Sequence, residues 1–227
     1  MRKSCLWVMV LVIMGCAAPV LGGGPAPKAV VDEQRYDFAQ VVEGSVVTHD
    51  FVIRNQGDAP LMIGRVKSDC GCTAASVTRQ IPPGGEGKIT VKFHSDGYGG
   101  RMTRQVVKVE TNDPLRTWLE LSVSGEVREF ASVLPRYVTL TGKAGAEVGK
   151  TITILPMQPF TVRGVRAQEG KNIRVSVSEK SSGGRKSYVI TVENTMNRPG
   201  RYRDTIIVET DSTVKPKITI GVTGEIS

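Results

Sequence analysis

Val109-Glu110-Thr111 returns as Val208-Glu209-Thr210, and Ser124-Gly125-Glu126-Val127 returns as Thr223-Gly224-Glu225-Ile226, both 99 residues later. Further upstream, Ile89-Thr90-Val91 reappears as Ile190-Thr191-Val192 at an offset of 101, a slip of two residues that a loop absorbs. The repeated material reads as β-strand. "SVVTHDFVIRN" alternates, with Val47, His49, Phe51 and Ile53 on one face and Val46, Thr48, Asp50 and Val52 on the other. "GKITVKF" brings Ile89, Val91 and Phe93 together; "TWLELSVSG" turns Leu119, Leu121 and Val123 inward and Trp118 and Glu120 outward. Asn55-Gln56-Gly57-Asp58, Pro82-Pro83-Gly84-Gly85, Asp96-Gly97 and Asn112-Asp113-Pro114 separate the runs as turns. A repeat of about 100 residues built from short alternating strands has the size of an immunoglobulin-like sandwich. The expected fold is therefore all-β, with two tandem immunoglobulin-like domains: residues 29–127 and residues 128–227.

The segment ahead of them is of another kind. Arg2 and Lys3 precede ten apolar residues, Cys5 to Met14. That run is too short for a membrane span, which takes about 20 residues, and fits the apolar core of an export signal. It ends in Ile13-Met14-Gly15-Cys16, which resembles the bacterial lipobox, whose cysteine is acylated and becomes the new N-terminus. Met14 is an unusual occupant of the middle position, and cleavage near Val20-Leu21-Gly22 is the competing reading. Residues 1–15 are read as the signal, Cys16 as the lipidation site and residues 16–28, which include the Pro/Gly-rich "APVLGGGPAPK", as a flexible tether. The chain is expected in the periplasm or at the outer membrane, held by a lipid anchor.

The first domain carries an ordered set of short motifs: Tyr36-Asp37-Phe38, Val42-Glu43-Gly44, His49-Asp50-Phe51, Asn55-Gln56-Gly57-Asp58-Ala59-Pro60-Leu61-Met62-Ile63, Cys70-Gly71-Cys72-Thr73, Pro83-Gly84 and Thr111-Asn112-Asp113-Pro114. In these it resembles a bacterial exported domain-of-unknown-function family with a Cys-Gly-Cys-Thr signature, related to the Hydin-type (ASH) immunoglobulin-like modules. The resemblance spans roughly residues 30 to 127 and implies a secreted or envelope-bound sandwich with no established activity. The second domain keeps the end pattern and has no cysteine, so it resembles the family as a diverged relative.

Reactive side chains are scarce. Beyond the signal and its cysteine, the chain has His49, His94, Cys70 and Cys72, with no HExxH, no GxSxG and no glycine loop feeding a helix that would cradle phosphate. A cysteine nucleophile with His49 as base lacks an orienting third group, so the expectation is not an enzyme. Residues i and i+2 of a straight strand sit about 6.6–7 Å apart, whereas a disulfide wants Cβ atoms about 3.5–4.5 Å apart. A Cys70–Cys72 bridge thus needs a bend at Gly71. Three readings stay open: a local disulfide in an oxidising envelope, buried free thiols, or a thiophilic metal or redox site. In the last, copper or zinc is the candidate ion and His49, inward on a strand read as neighbouring, the candidate third ligand.

Charge is uneven. Residues 28–127 hold 12 Lys and Arg against 13 Asp and Glu, and residues 128–227 hold 16 against 9, so the basic excess lies in the second domain. Arg163, Arg166, Lys171, Arg174, Arg198, Arg201 and Arg203 form the candidate anionic-partner patch. No aromatic-interleaved RNA-binding motif accompanies them, and nucleic acid is not the expected partner. The leading reading is a non-enzymatic cell-envelope binding or scaffolding protein, meeting a protein partner along a strand edge or an anionic envelope component. Its rivals are a periplasmic metal or thiol-redox protein centred on Cys70 and Cys72, and a pilus-type periplasmic chaperone. Trp118 is expected to face outward, available to the second domain or to a partner.

Overall fold

The computed structural model describes residues 24–68 and 72–227. In the N-terminal sandwich, one sheet runs in the order β1 (Ala29–Val31), β3 (Val46–Asn55), β7 (Glu86–His94), β5 (Cys72–Val77). The facing sheet runs β2 (Arg35–Val42), β9 (Trp118–Arg128), β8 (Arg101–Thr111), β4 (Leu61–Ser68), β6 (Gln80–Ile81). The C-terminal sandwich repeats this strand for strand apart from β6. One sheet is β10 (Ala131–Leu134), β12 (Gly149–Pro156), β15 (Arg185–Asn194), β14 (Ile173–Ser182); the other is β11 (Tyr137–Gly142), β17 (Lys217–Ile226), β16 (Gly200–Thr210), β13 (Val162–Ala167). In each module the second strand pairs parallel with the last, β2 with β9 and β11 with β17, and the other pairings are antiparallel. Two facing, mostly antiparallel sheets with crossing connections define an immunoglobulin-like sandwich, present twice.

The period-two pattern sets the cores. Phe51, Ile53, Ile89, Val91 and Phe93 from one sheet meet Val107, Val109, Leu119, Leu121 and Val123 from the other, all essentially removed from water. Each such side chain contributes about 1.5–3 kcal/mol relative to exposure. The second core is separate and is built from Ile152, Ile154, Tyr188, Ile190 and Val192 against Ile206, Val208, Ile220 and Val222. A bulge in β2 between Asp37 and Gln40 aims Phe38 into the first core. Ala39 takes a φ of +56° there, with its N–H donated to Asp37 Oδ1 at 2.8 Å. The Phe38 ring fills the place of a side chain at Gly125, where a Cβ would come within 2.4 Å of Cδ2.

The repeat extends to side-chain hydrogen bonds. Thr111 Oγ1 donates to the Arg116 carbonyl at 2.7 Å, and Thr210 Oγ1 donates to the Lys215 carbonyl at 2.6 Å, closing the β8–β9 and β16–β17 turns alike. Asn112 Oδ1 accepts the Met62 N–H at 2.8 Å, and Asp211 Oδ1 accepts the Thr161 N–H at 2.8 Å, pinning the chain that enters β4 and β13. One difference matters at the N-terminus. Buried Asp113 accepts the Ala29 N–H through Oδ2 at 2.9 Å and the Leu115 N–H through Oδ1 at 2.9 Å, tying β1 to the turn. Ser212 stands at the matching place in the second module and takes only the local bonds.

Candidate functional site

The two sandwiches meet through the β2–β3 connection of the first, which crosses between its sheets, and the β16–β17 turn of the second. Gly44, at φ +100°, lies so close to that turn that a Cβ would meet the Val214 carbonyl oxygen at 2.8 Å. Its neighbour Glu43 is 7% exposed, and its Oε1 accepts the Lys215 ammonium at 2.8 Å and the Gly97 N–H at 3.0 Å. Lys215 also reaches Asp96 Oδ1 at 3.3 Å. Burial pushes the Glu43 carboxyl up, but the hydrogen bonds from Lys215 and Gly97 and the Lys215 charge outweigh it and hold the group below its ordinary value. Val42 adds apolar contact with the second core. A cleft of about 430 Å³ opens beside this pair, lined by Asp96, Phe130, Arg136, Lys217 and Thr219 among others.

The seven basic residues divide over the second module. β13 and β14 are the edge strands of its two sheets and lie against each other, so Arg163 and Arg166 on β13, Lys171 in the connecting turn and Arg174 on β14 share one flank. Arg201 and Arg203 stand on β16, beside β13, and Arg198 lies in the β15–β16 connection. Arg166 pairs with Glu209 at 3.3 Å, Lys171 with Glu169 at 3.7 Å and Arg201 with Glu225 at 3.5 Å. Arg163, Arg174, Arg198 and Arg203 have no ion pair among the described residues. Arg163 adds to what holds the Asp211 carboxyl below its ordinary range, after the hydrogen bond from the Thr161 N–H.

Cys16 and Cys70 lie outside the described residues, as does the signal segment. Cys72 opens β5, the free edge of its sheet, with its backbone registered against Phe93 of β7. β4, which ends at Ser68, and β5, which begins at Cys72, belong to different sheets. His49 is on β3, and β7 lies between β3 and β5, so the strand read as neighbouring is two strands away, about 9.6 Å at ordinary strand spacing. Its ring stacks on Tyr36 at 3.8 Å and meets Phe51 edge-on at 4.6 Å, with Nε2 3.9 Å from Glu33 Oε2. Among the described residues no group of three or more His, Cys, Asp and Glu side chains is disposed to hold a metal ion. Trp118 faces outward, as expected, but does not approach the second sandwich: it stands at the start of β9, under the Lys67 ammonium at 5.5 Å, while the second sandwich follows the end of that strand.

Glu43 and Lys215 are what the sequence reading missed. Glu43 was visible within Val42-Glu43-Gly44, but nothing local to it points to a lysine in the other module. The signal available in principle was the repeat: Lys215 matches Arg116, and the β11–β12 connection of the second module has Ala144 where the β2–β3 connection of the first has Glu43.

The fold and this junction define the class: a pair of immunoglobulin-like modules joined head to tail. Residues 29–127 match the family described as "Protein of unknown function (DUF1573)". No curated protein matches the chain. Among solved structures the chain is distantly similar to a protein of unknown function from Porphyromonas gingivalis W83, at 11% identity and a TM-score of 0.39, covering 87% of this chain and 99% of that one. It is also similar to an ASH/PapD-like domain of human CEP192, at 14% identity and a TM-score of 0.39, covering 53% and 99%. Titin domains I67–I69 show 10% identity and a TM-score of 0.30, covering 89% and 66%.

Proposed function

We propose that this chain is an exported, non-enzymatic binding or scaffolding protein of the cell envelope, held by a lipid on Cys16, whose second sandwich receives an acidic, extended segment of a protein partner. The observation that carries this reading is the β13–β14 flank, where a free sheet edge and four basic side chains coincide. The outer edge of β14 offers backbone donors and acceptors to an added strand. Arg163 and Arg174 beside it make no ion pair among the described residues, although the Arg163 charge is felt at Asp211. Backbone pairing then supplies affinity, and the arginines select an acidic sequence and steer its approach.

The test compares wild type with an Arg163→Glu/Arg166→Glu/Arg174→Glu variant in capture from crosslinked envelope. A partner retained by wild type, released by added salt and lost in the variant supports the reading. Equal retention by both proteins, or a partner indifferent to salt, refutes it.

A further inference from the structure

The turn that docks the second sandwich onto the first has an undocked counterpart at the other end of the molecule. In the second module, Lys215 of the β16–β17 turn is held by Glu43 of the first module and the Val214 carbonyl lies against Gly44, while the Val214 side chain stays 39% exposed. The same turn in the first module, Pro114-Leu115-Arg116, meets no second module among the described residues, and Leu115 is 88% exposed. Met62, 43% exposed, and Trp118, 40% exposed, lie on the same end of this sandwich. Three cations accompany them, Lys28, Lys67 and Arg116, without an ion pair among the described residues. Asp58, Asp113 and the Arg65-paired Glu110 also stand at this end, so it is apolar with a slight excess of cations.

The chain also enters here. Ala26 exchanges hydrogen bonds with Asp58, its N–H reaching Oδ1 at 2.7 Å, and the Gln56 N–H donates to the Lys28 carbonyl at 2.8 Å. A groove lined by Ala26, Pro27, Gly57, Pro114 and Leu115 marks the place where the entering segment runs beside the turn. Only eight peptide links separate Cys16 from Gly24, a reach of at most about 28 Å. The first sandwich is longer than that along its strands: the eleven residues of β9 alone span about 36 Å.

We propose that the Leu115 end of the first sandwich rests on an anionic lipid surface, with Leu115 and Trp118 at headgroup level and Lys28, Lys67 and Arg116 against the phosphates. The proposal rests on the anchored reading given above, and adds an orientation: the second sandwich and its basic flank point away from the membrane, toward the partner. An exposed leucine and tryptophan ringed by cations is the composition that partitions into an interface.

The test uses the full chain purified from its own membrane fraction and reconstituted into vesicles of phosphatidylglycerol and phosphatidylethanolamine brominated near the headgroup. A Trp118→Phe variant supplies the background from Trp7 where the signal is retained. Quenching of Trp118 is expected, with the ratio of seated to unseated protein read from it falling about tenfold in Leu115→Asp, the loss that follows from one leucine's burial, and unchanged in the charge control Lys150→Glu. Unquenched Trp118 in anchored protein, the result a protein partner at this end would give, overturns the proposal, as does an equal signal from Leu115→Asp. Mass analysis of Cys16 reports separately on the anchor. If it is unmodified, the anchored reading falls, and flotation of the same protein with these vesicles decides for or against the surface alone.

Discussion

Replacing Glu43 with Gln removes the charge from the domain junction while keeping its shape. Lys215 then keeps only Asp96, at 3.3 Å, and its own side chain is 16% exposed. Removing one partner from a buried ion pair costs roughly 3–5 kcal/mol. The remaining contact with Asp96 and the partial access of water place this site at the low end, about 3 kcal/mol. With a urea dependence of about 2 kcal/mol per molar, the unfolding midpoint should fall by about 1.5 M. Lys215→Met should cost a similar amount by leaving the Glu43 carboxylate buried without its cation, and the double variant should lose less than the two singles combined by at least about 1 kcal/mol. The folded-state pKa of Glu43 lies below its ordinary value of 4.5. Its contribution is therefore fully present above that value and disappears as the pH falls through the folded pKa. Urea titrations of all four proteins at neutral pH and again at acid pH measure these quantities. A midpoint shift below about 0.3 M for Glu43→Gln, or strict additivity of the singles, refutes a coupled junction.

Gly224→Ala places a methyl group 2.0 Å from the Tyr202 ring, and overpacking of this kind costs about 1–3 kcal/mol; the loss should appear in thermal unfolding as a lowered transition. Asp113→Ala removes two hydrogen bonds to buried or partly buried backbone donors, each worth about 1.5–3 kcal/mol when the acceptor is charged, so the Ala29 amide should exchange with solvent faster than amides in the middle of β9. Tyr188→Phe deletes the 3.3 Å bond from its hydroxyl to the Phe160 carbonyl and should destabilise by about 1 kcal/mol in the same denaturation assay. No change in that variant would mean that the carbonyl is satisfied by another donor.

The strands were legible because each buries one face, so Ile89, Val91 and Phe93, or Leu119, Leu121 and Val123, betray a period of two directly. The turns were legible because Asn112-Asp113-Pro114 has few other uses. Strand order was another matter. His49 and Cys72 are 23 residues apart and read as near neighbours, but β7, which follows both in sequence, inserts between their strands. Local pattern carries no information on such an insertion. The basic flank was half legible: composition found the seven residues, while only the folded chain shows that four of them share the edge made by β13 and β14. The junction was the least legible feature, because the acid and the base that close it each look like ordinary surface charges in their own segments.

The claim on which the rest depends is that Glu43, Gly44 and Lys215 hold the two sandwiches in one fixed relation. Residual dipolar couplings of backbone amides in weakly aligned protein test it most directly. Couplings from residues 29–127 and from residues 131–226 should fit a single alignment tensor, with the same magnitude and axes for both. Two tensors of different magnitude or direction would show modules that move independently and would contradict the locked junction.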